Sequence, residues 1–162
     1  MTAHTEANKA VIRRFHEAAN SRDVALIGAT IDEVVTSDAV IRTPLQIGES
    51  GPALLKAVFT RLLHGYPDLR VTIEDLIAED DKVVSRNTVT GTHLGEYMGQ
   101  AATHKPIRYS EIFVCRLTER RIAETWGVVD ELSQLHQIGA VPGGPASACA
   151  PAASTGEVDE RS

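Results

Sequence analysis

Two pairs of long β-strand patterns fill the second half of the chain and constrain its fold more than any other feature. Each pair consists of two runs rich in β-branched and aromatic residues on either side of a short polar turn, which is typical of a β-hairpin. The four runs span residues 69–79, 82–93, 106–118 and 121–130. The turns between them are Asp80-Asp81 and Glu119-Arg120. We therefore expect two antiparallel hairpins of long strands.

Helical patterns come mainly before these hairpins. Apolar residues at helical spacing predict a first helix within residues 6–23 and a second helix from its N-cap Asp23 through Val34. A third helix is expected in residues 51–67, with Pro52 in its first turn, after a short strand in residues 38–44. The segment "ELSQLHQIG" after Asp130 predicts a short last helix.

Helices followed by a meander of strands indicate an α+β fold rather than the alternating pattern of a parallel sheet. A long, curved antiparallel sheet with the N-terminal helices packed on it forms a cone, and the inside of such a cone is a natural pocket for a small molecule. We therefore predict a cone-shaped α+β domain that encloses a pocket.

Length and composition indicate one folded domain. The chain has 162 residues, of which 43% are hydrophobic, and this is enough for a packed core. The expected domain covers residues 1–142. The remainder, 143–162, is rich in Ala, Pro, Ser and Gly and is expected to be disordered, because it cannot bury enough apolar surface to offset its ordering entropy.

The charge and the absence of certain motifs exclude several classes of partner. A formal net charge of −6 disfavours nucleic acid, because no basic stripe could neutralise phosphates. The N-terminal "MTAHTEANK" has no apolar core of a signal peptide, and no apolar run approaches a membrane span. Cys115 and Cys149 form no metal-ligand or disulfide pattern. We therefore expect a cytoplasmic protein with reduced thiols that does not bind membranes.

Asp130 lies between the last strand and the last helix, and the sequence allows two roles for it. It is a good N-cap residue for the helix that follows. It also lies at the end of a strand, near the expected mouth or wall of the pocket. Strand alternation places Glu124, Trp126, Val128 and Asp130 on one face of the sheet.

Three groups of residues resemble a known family, the SnoaL-like polyketide cyclases of the nuclear-transport-factor-2-like superfamily. They are the segment "GTHLGE" (91–96), the turn Lys105-Pro106 and the end of the last strand, "WGVVD" (126–130). The resemblance covers about residues 7–140. The sequence departs from the family pattern at His104, where a turn glycine is usual, and at Glu119-Arg120, where Asp-Gly is common. At Arg120 this predicts a small left-handed backbone cost.

The resemblance implies an activity and a catalytic residue. In characterised cyclases of this family, the aspartate that ends the Trp-x-x-x-Asp motif is the general acid/base of an intramolecular aldol closure that needs no metal or cofactor. The resemblance therefore implies that Asp130 removes a proton from an activated carbon and later protonates the new alkoxide. The substrate is expected to be a polyketide-like small molecule of secondary metabolism, such as an antibiotic precursor.

Five further residues are candidates for the site. His93 could donate to a substrate carbonyl or relay a proton, and its alternative role is to anchor a loop. Arg86 could stabilise an enolate oxygen or could be a surface-strand arginine. Glu111 could orient either of them or could act as a second carboxylate. The indole of Trp126 could form a pocket wall or belong to the core, and Tyr97 could close the pocket as part of a lid.

Other readings stay open at this point. The histidines show no metal-ligand spacing, so no metal site is expected. On the same fold the reaction could be epoxide hydrolysis, epoxide-opening ether formation or hydroxylation, or the domain could bind a small molecule without catalysis. Catalysis by Asp130 predicts that its carboxylate is shielded from solvent beside polar partners. The family resemblance also implies a homodimer paired through the outer face of the sheet, which we expect to be apolar through Val83, Val89 and Val114.

Overall fold

The computed structural model describes residues 3–45 and 47–142 and contains four helices and five strands. In chain order they are α1 (Ala3–Ser21), α2 (Val24–Val34), β1 (Val35–Ile41), α3 (Gly51–Gly65), β2 (Arg70–Glu79), β3 (Lys82–Thr92), β4 (Pro106–Thr118), β5 (Arg121–Val129) and α4 (Glu131–Ile138). The α+β class is confirmed. The predicted tail, 143–162, lies outside the described residues.

The two hairpins form as the sequence predicts, because each turn directly joins two strands that pair with each other. Strands β2 and β3 pair antiparallel, as do β4 and β5, and β3 pairs with β4 to join the hairpins. The second turn contains Glu119 and Arg120 with φ of 50° and 60°. Both residues therefore have left-handed backbone conformations, which favour Asn-Gly in such turns. The predicted strain at Arg120 is confirmed.

The predicted fold is confirmed except at one edge, where the sheet is mixed rather than wholly antiparallel. Its strand order is β1-β5-β4-β3-β2, and β1 runs parallel to β5. A hairpin turn fixes the relative direction of two strands, but β1 and β5 are joined by no turn, and most of the fold lies between them in sequence. Their direction therefore depends on how α2 and α3 pack. Strand β1 also begins at Val35, directly after α2, rather than at residue 38.

Helices α1, α2 and α3 cover one face of the sheet, which we call the inner face. Ile12 of α1 and Ile31 of α2 pack with Val83, Cys115 and Ile122 of the strands in one core cluster. Burial of each such aliphatic side chain stabilises the fold by about 1.5–3 kcal/mol.

A second core cluster lies where α4 packs over the same face, at the N-terminal end of β4. There Ile138 of α4 packs with Tyr66, Leu69, Val89 and Tyr109. Both clusters draw on the inner face, so the space left between them is enclosed by helices and sheet.

Alternation along the strands determines which side chains reach the inner face. Val83 and Val89 of β3 are 0% and 2% exposed and belong to the core clusters. The expectation that these two valines form an outer dimerisation face was therefore wrong, because they have the opposite parity to the outward-facing residues. Val114 pairs with Val84 and lies on the outer face, beside the exposed Ile112 and Val128.

Candidate functional site

A cavity of about 120 Å³ lies between the helices and the inner face of the sheet. Most of the residues that line it are apolar and come from α1, α3 and all five strands. They include Ile12, Phe15, Ile41, Leu55, Phe59, Leu62, Val71, Val89, Phe113 and Ile122. Such an apolar enclosure with few polar groups is the usual form of a small-molecule site.

The polar residues in the cavity wall are few. Glu111 of β4 and His16 of α1 line it together with Ser85 and Thr125 of the neighbouring strands, and Arg42 and Thr43 line it just beyond the end of β1. Arg42 donates to Glu124 across 2.7 Å. Glu111 is thus the one carboxylate among the described residues of the cavity wall.

The side-chain amide of Asn87 is hydrogen-bonded to Glu111. Asn87 of β3, which is 1% exposed, donates from Nδ2 to Glu111 Oε1 across 3.0 Å. Desolvation raises the pKa of the Glu111 carboxyl, and the Asn87 hydrogen bond opposes this only in part. The cause is that an isolated carboxylate in apolar surroundings is costly, so burial disfavours the charged form.

His16 lies against the same amide. Its Nδ1 lies 2.9 Å from the carbonyl oxygen of Ile12, one turn earlier on α1. A carbonyl oxygen can only accept, so this bond assigns the proton to Nδ1 and makes Nε2 the accepting nitrogen. Asn87 Nδ2 lies 3.3 Å from that Nε2. Burial lowers the pKa of His16, and its bond to Ile12 opposes the shift.

Two other titratable side chains of the wall are unreactive at neutral pH. Burial raises the pKa of the Cys115 thiol to about 12 and holds the pKa of Tyr109 well above its ordinary value. Neither group therefore carries a charge or a nucleophilic thiolate near pH 7. Among the described wall residues, Glu111 and His16 are therefore the candidates for proton exchange with a ligand near neutral pH.

Asp130 lies outside the apolar environment of the cavity. Its carboxylate accepts from the backbone N–H of Ser133 across 3.1 Å and so caps α4, while its own N–H donates to the carbonyl of Ser110. The residue is exposed and is not among the described residues that line the cavity. The solvent-shielded carboxylate that catalysis required of Asp130 is found instead at Glu111.

His93 is fully buried, in a loop rather than in the cavity wall. Thr103 donates its backbone N–H to His93 Nδ1 across 3.3 Å, and its hydroxyl lies 3.0 Å from the same atom. The backbones of His93 and Lys105 are also hydrogen-bonded across 2.9 Å. The ring thus ties the two ends of the loop 93–105 together. Burial lowers its pKa.

The "GTHLGE" segment fixes this loop on the end of α3. Leu94 and Gly95 both donate their N–H to the carbonyl of Gly65. A Cβ on Gly95 would lie 2.0 Å from the carbonyl oxygen of His64, so only glycine fits there. Tyr97, expected in a lid, is 2% exposed and packs on Tyr66 with ring centroids 5.0 Å apart.

Arg86 and Trp126 lie on the outer face of the sheet. Arg86 Nε donates to Asp75 Oδ2 across 2.6 Å at the protein surface. Trp126 pairs with Val114 and is half-buried. Strand parity was predicted correctly for Glu124, Trp126 and Val128, but the face they share points away from the cavity. Of the six predicted site residues, the structure brings only Glu111 to the cavity wall.

His16 and Asn87 were not predicted as site residues, although both carried a readable signal. His16 follows Ile12 by four residues and precedes Ala19 by three, so it lies on the apolar stripe of α1. Asn87 continues the buried alternation of Val83 and Val89. A polar residue at a position where the pattern requires an apolar one is costly to bury unless it has a partner or a function.

The described residues were also compared with the requirements of a metal site and of a membrane span. Within residues 3–45 and 47–142, no group of three or more His, Cys, Asp or Glu side chains is arranged to hold a metal ion. Among the described residues, none of the helices has the length and hydropathy of a membrane span.

Comparison with known proteins identifies the family. A model of the SnoaL-like polyketide cyclases matches residues 9–138. No match is found among curated proteins. Similar structures include AclR of Streptomyces galilaeus, a proposed hydroxylase (26% identity, 88% of this chain and 87% of that one, TM-score 0.75). IdmH of Streptomyces antibioticus, a proposed polyketide cyclase, is 27% identical over 82% of this chain and 98% of its own (TM-score 0.70).

A third structure, a SnoaL-like protein from Jannaschia, shares 19% identity and shows the fold alone (88% and 98% covered, TM-score 0.76). The family model spans most of the folded domain, including the cavity wall, the loop 93–105 and α4. The chain therefore belongs to the SnoaL-like polyketide cyclase family.

Proposed function

We propose that this protein closes a ring in a polyketide-like molecule bound in the cavity, and that Glu111 exchanges the protons. The observation that carries the proposal is a single carboxyl, with its pKa raised by burial, in the wall of an apolar cavity. A carboxyl with a raised pKa is both a stronger base and an acid that keeps its proton closer to neutral pH.

An aldol closure fits such a site because it consumes no net proton. A base removes one proton from a carbon next to a carbonyl group, and the resulting enolate carbon attacks a second carbonyl of the same molecule. A carbon–carbon bond forms, and the new alkoxide takes up one proton. The product is an isomer of the substrate, so acid/base groups alone can complete the cycle.

Asp130 remains a second candidate for the base on the strength of the family resemblance. Two features of the structure favour Glu111 over it: Asp130 is exposed, and its carboxylate already accepts a helix-cap hydrogen bond. A carboxylate that faces water and holds the N-terminus of α4 is not directed at a ligand in the cavity, whereas Glu111 lines the cavity wall. The epoxide-opening readings need two carboxylates flanking a water, and the described cavity wall offers one.

The test compares Glu111→Gln with Asp130→Asn on a panel of aromatic poly-β-keto esters. Cyclisation is followed as a product of unchanged mass with a new ultraviolet absorption. We expect Glu111→Gln to slow turnover roughly 10²–10⁴-fold. The amide keeps the shape of the side chain and can still accept from Asn87, so folding and ligand binding should persist. Asp130→Asn should retain activity.

Each result of this comparison has a distinct meaning. A loss in Asp130→Asn with full activity in Glu111→Gln would return the catalytic role to Asp130. If the wild type converts no member of the panel, while a small-molecule screen still finds tight ligands for the cavity, the domain is a binding module.

We also propose that the protein is a homodimer formed through the outer face of the sheet. The support is the apolar character of that face, where Ile77, Ile112 and Val128 are 63%, 44% and 74% exposed. Isolated large apolar residues are common on protein surfaces, but a continuous group on one sheet suggests a covered surface. Sedimentation of a monomer at micromolar concentration would exclude this assembly.

A further inference from the structure

We infer that His16 is a second proton-transferring group of this cavity, and that the Asn87 amide holds it in a fixed relation to Glu111. The inference rests on the proposed function, because it divides the proton transfers of one reaction between two side chains. It makes His16 a catalytic residue and Asn87 a positioning residue.

The three side chains come from three elements that meet at the cavity wall. His16 lies on α1, Asn87 on β3 and Glu111 on β4. The amide nitrogen of Asn87 carries two hydrogens. That nitrogen lies 3.0 Å from Glu111 Oε1 and 3.3 Å from His16 Nε2, and Ser85 Oγ is farther away, at 3.5 Å. One amide group therefore joins the carboxyl and the imidazole without an ion pair between them.

The hydrogen bond to Ile12 determines which chemistry His16 can perform. With the proton fixed on Nδ1, the lone pair of Nε2 is the only basic site of the neutral ring. That atom belongs to a residue of the cavity wall, so a ligand can displace the long Asn87 contact and present a C–H group to it. Asn87 would keep its shorter bond to Glu111 throughout.

Burial shifts the pKa values of the two groups in opposite directions. It favours the neutral carboxylic acid at Glu111 and the neutral imidazole at His16. A neutral acid and a neutral base in one cavity can act together on one substrate. His16 Nε2 accepts a proton from carbon, the carbon–carbon bond forms, and Glu111 donates its proton to the new oxygen. The product is an isomer of the substrate, and one proton returned from His16 to Glu111 resets the site.

The experiment uses 5-nitrobenzisoxazole, a small planar probe whose ring opens when a base removes its C3 proton. The N–O bond breaks as the nitrile forms, and the single product, a cyano-nitrophenolate, is yellow. The proteins are the wild type, His16→Gln, Glu111→Gln and the double variant. His64→Gln, a change at an exposed histidine of α3, is the matched control and should leave turnover unchanged.

We expect His16→Gln to lower probe turnover roughly 10²-fold. The decisive reading is the pH profile in the Glu111→Gln background. Residual turnover should rise with pH through the lowered pKa of His16, below 6.5, and this limb should vanish in the double variant. A histidine with a structural role only would not produce it.

Other groups that face His16 do not titrate in this range. Once Glu111 is replaced, the remaining charged or titratable side chains of the described cavity wall are Arg42 beyond β1 and Tyr109 and Cys115 on β4. Arginine stays charged throughout, and burial raises the pKa of the other two above their ordinary values. The α3 and β3 residues of the wall carry no ionisable group.

The outcomes separate the two proposals. Loss in Glu111→Gln with full turnover in His16→Gln would overturn the role of His16 and leave the proposed function standing. A wild type no faster than imidazole and acetate in solution would overturn both. As a readout independent of activity, ¹⁵N resonances of His16 should show the Nδ1–H tautomer at pH 7, and an Nε2–H tautomer would contradict the inference.

Discussion

The two most deeply buried histidines of the described chain differ in the surroundings of their Nε2 atoms. Both His16 and His93 are nearly inaccessible, and burial lowers the pKa of both. His16 lies on the wall of a cavity, with its basic Nε2 next to an amide that also binds a carboxyl. His93 accepts from Thr103 through Nδ1, so its proton lies on Nε2, which has no hydrogen-bond partner among the described residues.

This contrast shows that burial and a lowered pKa do not by themselves indicate a catalytic histidine. A proton acceptor must present its lone pair to a space where a ligand fits, and a second titratable group must lie within reach. The surroundings of His16 meet both conditions. Those of His93 consist of a loop, and its ring packs on Tyr66 with centroids 5.5 Å apart. We accordingly expect the two sites to respond differently to substitution.

The largest effect on stability is expected in the loop of His93. Gly95→Ala would place a methyl group 2.0 Å from the carbonyl oxygen of His64, so the loop must move away from α3 and lose two backbone hydrogen bonds. We expect a loss of about 3 kcal/mol in the free energy of unfolding. Denaturant melts measure it, and Gly99→Ala, whose Cβ would meet no atom within 4 Å, tests backbone strain alone, since its φ is +80°. Wild-type stability for Gly95→Ala would show that the loop does not pack as described.

The second prediction compares the effects of Gln substitutions at the two histidines. His93→Gln should lower stability by about 1–3 kcal/mol, because it disturbs a buried hydrogen bond that closes the loop, yet it should leave the rate of proton abstraction per folded molecule unchanged. His16→Gln should do the reverse, with a smaller change in melting and a large loss of turnover. Equal losses of turnover in both variants would remove the distinction and support the predicted catalytic role of His93.

The third prediction concerns the stability of the cavity site as a function of pH. The folded pKa of Glu111 is raised above its ordinary value of 4.5, so the native state holds this proton more tightly than the unfolded chain. Its contribution to stability is therefore complete below pH 4.5 and is lost as the pH rises through the folded value. The loss is about 1.4 kcal/mol for each pH unit between the two pKa values.

Glu111→Gln removes this loss. We expect its melting temperature to match that of the wild type near pH 4 and to exceed it at pH 8. Melting curves of both proteins across that range provide the measurement, and equal melting temperatures throughout would show that Glu111 is not desolvated.

The smallest effect is expected at Asp130, which belongs to neither histidine site. Asp130→Ala removes the cap of α4 and should lower stability by about 1 kcal/mol, whereas Asp130→Asn should be nearly neutral, because Asn caps almost as well as Asp. Thermal melts of the two variants give the difference. Identical melting of both would show that the bond to Ser133 contributes nothing measurable.

The sequence predicted the elements of the fold well because their signals are local. Residues 106–118 were predicted as a strand and form β4 over the same range. Asp23 was predicted to cap the second helix and does so by accepting from Ala25 and Leu26. Turn residues, caps and periodicity act over a few neighbours, so they can be read from a short window of sequence.

The candidate site was predicted only in part because it is not local. Glu111 was identified as a strand carboxylate, but the partners assigned to it, Arg86 and His93, lie on the outer face and in the loop. Its actual neighbours, His16 and Asn87, are 95 and 24 residues away in sequence. The pairing of β3 with β4 places Asn87 beside Glu111, and the packing of α1 on β2 and β3 brings His16 to them.

What the sequence determined by itself is the set of residues that share each face of a strand; what only the tertiary structure decided is which face the helices cover. Alternation grouped Glu124 with Trp126 and Val128, and it equally grouped Val83 with Ser85, Asn87 and Val89. Because successive side chains point to opposite sides, two faces that both contain apolar residues look equivalent in a single strand. The helices break this equivalence by burying one face. Because α1 packs on that face, His16 and Glu111 lie in the wall of the same cavity.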